Sequence, residues 1–170
     1  ELFFENVKVG ADQILGGEGR GFANLMNELP RERLILALGA VAACEGMIDR
    51  TIAYTQERQA FGQSISKFQN TRFVLADLHA QVQVNKAFCE QSIEQYDRGE
   101  LSTTNASIAK LTTTELQGKV ADQCLQLFGG YGYMQEYPIS RDFVDARIQR
   151  IYGGTSEIMK EIIARDILGR

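Results

Sequence analysis

From Phe22 onward, apolar positions recur at helical spacing. Leu25, Met26 and Leu29 lead to Pro30; beyond it Leu34, Ile35, Leu38, Val41, Ala42, Ile48 and Ile52 keep the repeat to about Gln56. Proline lacks an N–H and crowds the preceding turn, so Pro30 predicts a kink or restart in this helix. A loop, "ERQAFGQS", follows. Phe68 to Tyr96 reads as a second long helix, with Val74, Leu78, Val82 and Phe88 facing inward and Gly99 as its C-terminal cap. Ser102 or Thr103 caps a third, Asn105 to Phe128. "GGYGYMQEY" is a turn, and Pro138 opens a fourth helix to about Arg150, in the first-turn position proline favours. After Gly153-Gly154, Thr155 caps a last helix to Leu168. At the other end, "ELFFENVKV" reads as a short strand and Gly16 to Gly21 as a glycine-rich linker. The fold class is therefore all-α: an antiparallel up-and-down bundle of four-helix type, with an extra short C-terminal helix and a strand remnant in front.

Composition adds boundaries. At 170 residues and 44% hydrophobic, the chain is long enough for one domain with a core. A net charge of −4, with both signs mixed, gives no basic surface for nucleic acid. No apolar run reaches membrane-spanning length. Cys44, Cys89 and Cys124 lack paired spacing, which argues against a disulfide framework or a zinc site and for small buried hydrophobes in a reducing compartment. The single histidine, His79, has no second ligand nearby, so no metal is expected.

Four stretches are unusual for a plain bundle. In "ERQAFGQSISKFQ", Arg58 leaves a helix end and Phe61-Gly62 makes a turn; either Arg58 caps that helix and Phe61 plugs the core, or Arg58 clamps a pyrophosphate. In "QLFGGYGY", Gly129 and Gly130 either end a helix or bring backbone N–H groups to a phosphate. In "ELPRERL", Glu28 and Glu32 lie four apart on one helix face, either solvated and paired with Arg31 and Arg33 or offering a general base. In "IYGGTSEIMK", a helix N-terminus at Thr155 offers free N–H groups to an anion or carbonyl.

Taken together and in this order, these stretches resemble the C-terminal helical domain of the acyl-CoA dehydrogenases. "RQAFGQSISKFQ", "QLFGGYGYMQEYPISRDFVDARI" and "IYGGTSEIMKEIIAR" carry the resemblance. It implies that residues 1–20 are the tail of a middle β-domain with its linker, that residues 21–170 are the helical domain, and that the chain is part of a longer protein. It implies FAD lying between subunits of a homodimer or homotetramer. Arg58, Gln69 and the stretch Gln126, Gly129 and Gly130 would meet the partner's FAD, and Thr155, Ser156 and Glu157 would contact flavin. Tyr152, Gly153 and Gly154 would line the substrate. Arg33 would sit near the base or the CoA moiety, with a structural role the alternative.

One departure matters. Many members of this family carry their catalytic glutamate where this chain has Gly153. Long-chain and isovaleryl-type members instead carry the base on the earlier helix, and "LMNELPRERL" puts Glu32 at the matching position, with Glu28 a turn away as fallback. The expected reaction is removal of the α-proton of an acyl-CoA by Glu32 with β-hydride transfer to flavin N5, giving a trans-2-enoyl-CoA. The resemblance also implies an electron-transfer flavoprotein as acceptor and a bacterial cytoplasm or mitochondrial matrix as setting. The rival expectations are an acyl-CoA oxidase-like flavoprotein and a non-catalytic helical oligomerisation module. The isolated chain is expected to be inactive and colourless.

Overall fold

Pro30 does not interrupt the first helix. In the computed structural model, which describes residues 1–169, α1 runs unbroken from Gly21 to Glu57, 37 residues with Pro30 inside. The expected restart is corrected. The lost N–H bond falls where α1 is still largely exposed, so the orphaned Met26 carbonyl is open to solvent. Beyond Arg33 the helix is anchored by burial of Leu34, Ala37, Ala40, Val41 and Cys44. Packing of that stretch outweighs a proline penalty of about 3 kcal/mol.

The remaining helices are α2 (Gln69–Asp97), α3 (Thr103–Phe128), α4 (Pro138–Ile148) and α5 (Ser156–Leu168). Their ends follow local chemistry. Gly99, at φ 70°, closes α2: its N–H donates to Tyr96 O and that of Glu100 to Gln95 O. The Ser102 hydroxyl accepts from Asn105 N at 3.0 Å to start α3. Pro138 sits in the first turn of α4. The expected domain end, Arg170, lies outside the described residues.

α3 is the central element and packs against all four other helices. Ala37 and Ala40 of α1 and Ala106 and Ala109 of α3 are fully buried, small residues that suit a close approach of the two helices. Met47 and Ile48 of α1, Leu78 and Val82 of α2, and Val120 and Ala121 of α3 continue the core, with Ile139 and Ala146 of α4 beneath them. Cys44, Cys89 and Cys124 are free and buried within it; burial pushes the Cys44 thiol up to about 12, which leaves it unreactive.

Two segments depart from expectation. The "ERQAFGQS" loop is a tight hairpin, β1 (Gln59–Ala60) antiparallel to β2 (Gln63–Ser64). Phe61 and Gly62 both have positive φ, 51° and 79°, the two-residue turn that matches strand twist. That turn throws Phe61 outward, 96% exposed, so it does not plug the core. The opening "ELFFENVKV" forms no strand: it is exposed and finds no pairing strand among the described residues.

Candidate functional site

The Gly153-Gly154 turn joins α4 to α5 with φ of 64° and 102°, a backbone that only glycine adopts without strain. Its carbonyls point inward. Gly154 O accepts from Lys110 Nζ at 2.6 Å, and Gly153 O from Arg33 Nε at a longer 3.5 Å. Arg33 also reaches Ser107 Oγ at 3.5 Å. Glu115 of α3 ties down both flanks, accepting from Arg150 at 3.1 Å and from Ser156 Oγ at 2.5 Å. A side chain on Gly118 would crowd Arg150, whose NH2 lies 3.0 Å from where a Cβ would sit.

The N–H groups of this turn are distributed differently from the sequence expectation. Those of the first turn of α5 are largely taken: Ser156 N donates to Arg150 O, and Ile158 N to the Thr155 hydroxyl at 3.3 Å. The N–H groups without an acceptor among the described residues belong to Gly153, Gly154 and Thr155, ahead of the helix. A peptide unit is trans and planar, so a carbonyl drawn inward turns the N–H of the same unit outward.

Glu32 stands beside this turn. Arg33, its neighbour, holds Gly153 O, and Leu36, one turn on along the same face, fills the place a side chain at 153 would enter. Glu32 is exposed and has no cation within 4 Å among the described residues, whereas Glu28 pairs with Arg31 at 3.5 Å. Arg33 is buried and held below its ordinary value by desolvation, opposed by the Glu32 carboxylate. Lys110 is likewise lowered by desolvation and then by Arg33. Tyr152, just before the turn, is exposed. Glu157 is exposed, and hydrogen bonds from its own N–H and the Thr155 hydroxyl hold its carboxyl below the usual range.

A second group gathers at the far end of α1. Arg58, Gln126, Gly129 and Gly130 line one open cavity of about 510 Å³ with Tyr54 and Tyr131. The Arg58 guanidinium lies over the Tyr131 ring, 5.5 Å from its centroid. Tyr54 stacks on Phe128 at 4.1 Å and donates its hydroxyl to Phe128 O at 3.2 Å. Gly129 has φ 60° and ψ −138°, and its N–H is bonded to Gln126 O, so that N–H is engaged within the chain. Gly132 is buried, and a Cβ there would come within 2.5 Å of Leu125 O. Gln69 opens α2 at this same end, next to Phe68, whose N–H bonds the Ile65 carbonyl while Ile65 N bonds Arg58 O.

Arg58 and Glu32 are 26 positions apart along α1, about 40 Å at 1.5 Å per residue. The candidate residues thus form two sites, not one. Among the described residues, no group of His, Cys, Asp or Glu could hold a metal, and no helix is long and apolar enough to cross a membrane.

A family model described as "Acyl-CoA dehydrogenase, C-terminal domain" matches residues 19–168. The chain belongs to this family. It is 48% identical over 168 residues to the long-chain specific acyl-CoA dehydrogenase, mitochondrial, of Rattus norvegicus, covering 99% of this chain and 39% of that protein. It is 38% identical to the acryloyl-CoA reductase (NADH) of Anaerotignum propionicum, covering all of this chain and 43% of the relative. The crystal structure of an acyl-CoA dehydrogenase from Geobacillus kaustophilus superposes with a TM-score of 0.94 at 42% identity, covering 97% of this chain and 43% of that one. The acyl-CoA dehydrogenase domain described here therefore spans about two fifths of the length of these relatives.

Sequence reasoning missed Lys110, Glu115, Leu36 and the aromatic platform. Lys110 left one trace: its neighbours at helical spacing, Ala106, Ser107, Thr113 and Thr114, are small residues of a buried face, where a lysine is out of place.

Proposed function

We propose that the protein to which this chain belongs oxidises acyl-CoA thioesters, with FAD as cofactor and Glu32 as the base. The observation that carries this reading is Glu32 itself: an exposed carboxylate with no cation within 4 Å among the described residues, next in sequence to the Arg33 that holds a turn with unengaged N–H groups. Glu32 takes the proton from the carbon next to the thioester carbonyl. The Gly153 N–H donates to the thioester oxygen as charge develops there; a donor so placed contributes about 3 kcal/mol to the transition state. Leu36, in the place a side chain at 153 would enter, favours a base supplied from α1. A bound acyl chain over Glu32 would exclude water and raise its affinity for the proton. Tyr152 and Gly154 border the space left for the acyl group, and Arg33 holds the turn from behind.

The features at the other end of α1 fit FAD. The cavity is open, glycines keep side chains out of it, and the Arg58 fork is steadied over Tyr131 to meet a pyrophosphate. Bound FAD supplies the hydride acceptor. Because Arg58 lies about 40 Å from Glu32, Arg58, Gln69, Gln126, Gly129 and Gly130 serve the FAD of a second copy, and the working unit is a homodimer or a homotetramer. Thr155, Ser156 and Glu157 hold the start of α5 against the flavin of the Glu32 site, chiefly through backbone, since the Ser156 hydroxyl is bonded to Glu115. An electron-transfer flavoprotein is the proposed acceptor, and the mitochondrial matrix or a bacterial cytoplasm the proposed setting. The family resemblance to long-chain relatives favours a long acyl chain.

The test is Glu32→Gln in the full-length protein. With oxygen excluded and acyl-CoA saturating, flavin bleaching slows at least about 100-fold while FAD and acyl-CoA still bind. Bleaching at the wild-type rate would move the role to another carboxylate, Glu28 first.

A further inference from the structure

Lys110 has the largest fully buried side chain among the described residues, with 0% of its surface exposed. No carboxylate lies within 4 Å of its ammonium among those residues; burial and the cation Arg33 disfavour its charge, with the more distant Glu115 and Glu157 opposing. Burying a cation beside another cation is costly, and an apolar side chain of similar length would fill the same space more cheaply. Packing therefore does not account for a lysine here. Its one hydrogen bond does: Nζ to Gly154 O at 2.6 Å.

That bond fixes an orientation. The described chain has no cis peptide, so drawing Gly154 O toward α3 turns the Thr155 N–H of the same unit away from it. Arg33 acts in the same sense, more weakly, on Gly153 O and hence on the Gly154 N–H. The φ values of 64° and 102° belong to a turn held in this one conformation.

We infer that Lys110 is a positioning residue: by holding the Gly154 carbonyl from inside the bundle it fixes the Thr155 N–H outward and locks the backbone of the turn that carries the Gly153 N–H to the thioester oxygen. The inference rests on the acyl-CoA reading above.

The experiment uses full-length, FAD-containing protein with Lys110→Met, and Val120→Ala as a packing control on the same helix. Hydrogen exchange over residues 152–156, acyl-CoA affinity and the anaerobic rate of flavin reduction at saturation are measured together. For Lys110→Met, exchange in the turn accelerates at least about 10-fold. Reduction slows about 10- to 100-fold, while acyl-CoA affinity changes by less than about threefold. Val120→Ala lowers the melting temperature and moves neither exchange nor rate. Wild-type exchange and a wild-type rate in Lys110→Met would overturn the inference and leave the acyl-CoA reading standing. If wild-type protein binds FAD but acyl-CoA does not reduce it, that reading fails, and the exchange data alone decide whether Lys110 holds the turn. Should Lys110→Met not fold, Lys110→Gln is scored by the same two criteria.

Discussion

The two ends of α1, each proposed as a ligand site, are built in opposite ways. At the Glu32 end the charged side chains of Arg33 and Lys110 are buried and hold the carbonyls of the turn from inside. At the Arg58 end the backbone is engaged internally, as in the Gly129 N–H bond to Gln126 O, and the charged side chain is turned out over an aromatic platform. The first end presents donors fixed in place, which suits a reacting carbonyl whose charge changes during the reaction. The second presents a planar fork of permanent charge, which suits a phosphate that is bound and not transformed. Substitutions at the first end should therefore change rates, and those at the second should change cofactor retention.

Glu32→Gln has the largest expected effect, on rate alone. Arg58→Ala comes next: FAD affinity falls about 10- to 100-fold by equilibrium dialysis, as expected for losing a charge-assisted contact, while the rate with FAD in excess stays near wild type. A rate loss that excess FAD does not restore would erase the contrast between the ends. Gly132→Ala sharpens it. The new Cβ meets the Leu125 carbonyl, so stability falls by about 1–3 kcal/mol in denaturant unfolding and FAD is held less tightly, with no direct effect on proton abstraction. Asp77→Asn is the control between the ends. Asp77 pairs with Lys119 at 3.0 Å and accepts from Gln81, and these bonds hold its carboxyl below the ordinary 3.8. A carboxyl depressed on folding stabilises above its unfolded value, and that contribution disappears as pH falls through the folded one. The variant should flatten the melting-temperature profile slightly below pH 4 and leave rate and FAD affinity unchanged.

Much of this fold was legible from spacing and caps. Gly99, Ser102, Pro138 and Thr155 mark helix ends because each satisfies orphaned backbone groups locally, and local chemistry is what a sequence displays. The readings that failed depended on partners distant in the chain. Whether Pro30 breaks α1 is decided by how firmly Leu34 to Cys44 pack, and whether "ELFFENVKV" is a strand is decided by a neighbour to pair with. The turn at Phe61-Gly62 is legible from its glycine, but the strands beside it, two residues each, are too short to display an alternating pattern. At the site, Glu32 and Arg58 stood out through family resemblance, whereas Lys110 did not. Its role lies in a contact 44 positions along the chain, with a backbone atom that carries no side-chain signature.

On the proposed function, the two ends of α1 serve different flavins, one in each subunit of a pair. Hybrid dimers test it most directly. A Glu32→Gln subunit is paired with an Arg58→Ala subunit, and flavin reduction is compared with that of the two parent homodimers at limiting FAD. Sharing across subunits predicts one intact site per hybrid, with Glu32 from one chain and Arg58 from the other, and about half of wild-type activity. A hybrid as inactive as its parents, together with half activity when the doubly substituted subunit is paired with wild type, would place Glu32 and Arg58 of a single chain at the same flavin and contradict sharing across subunits.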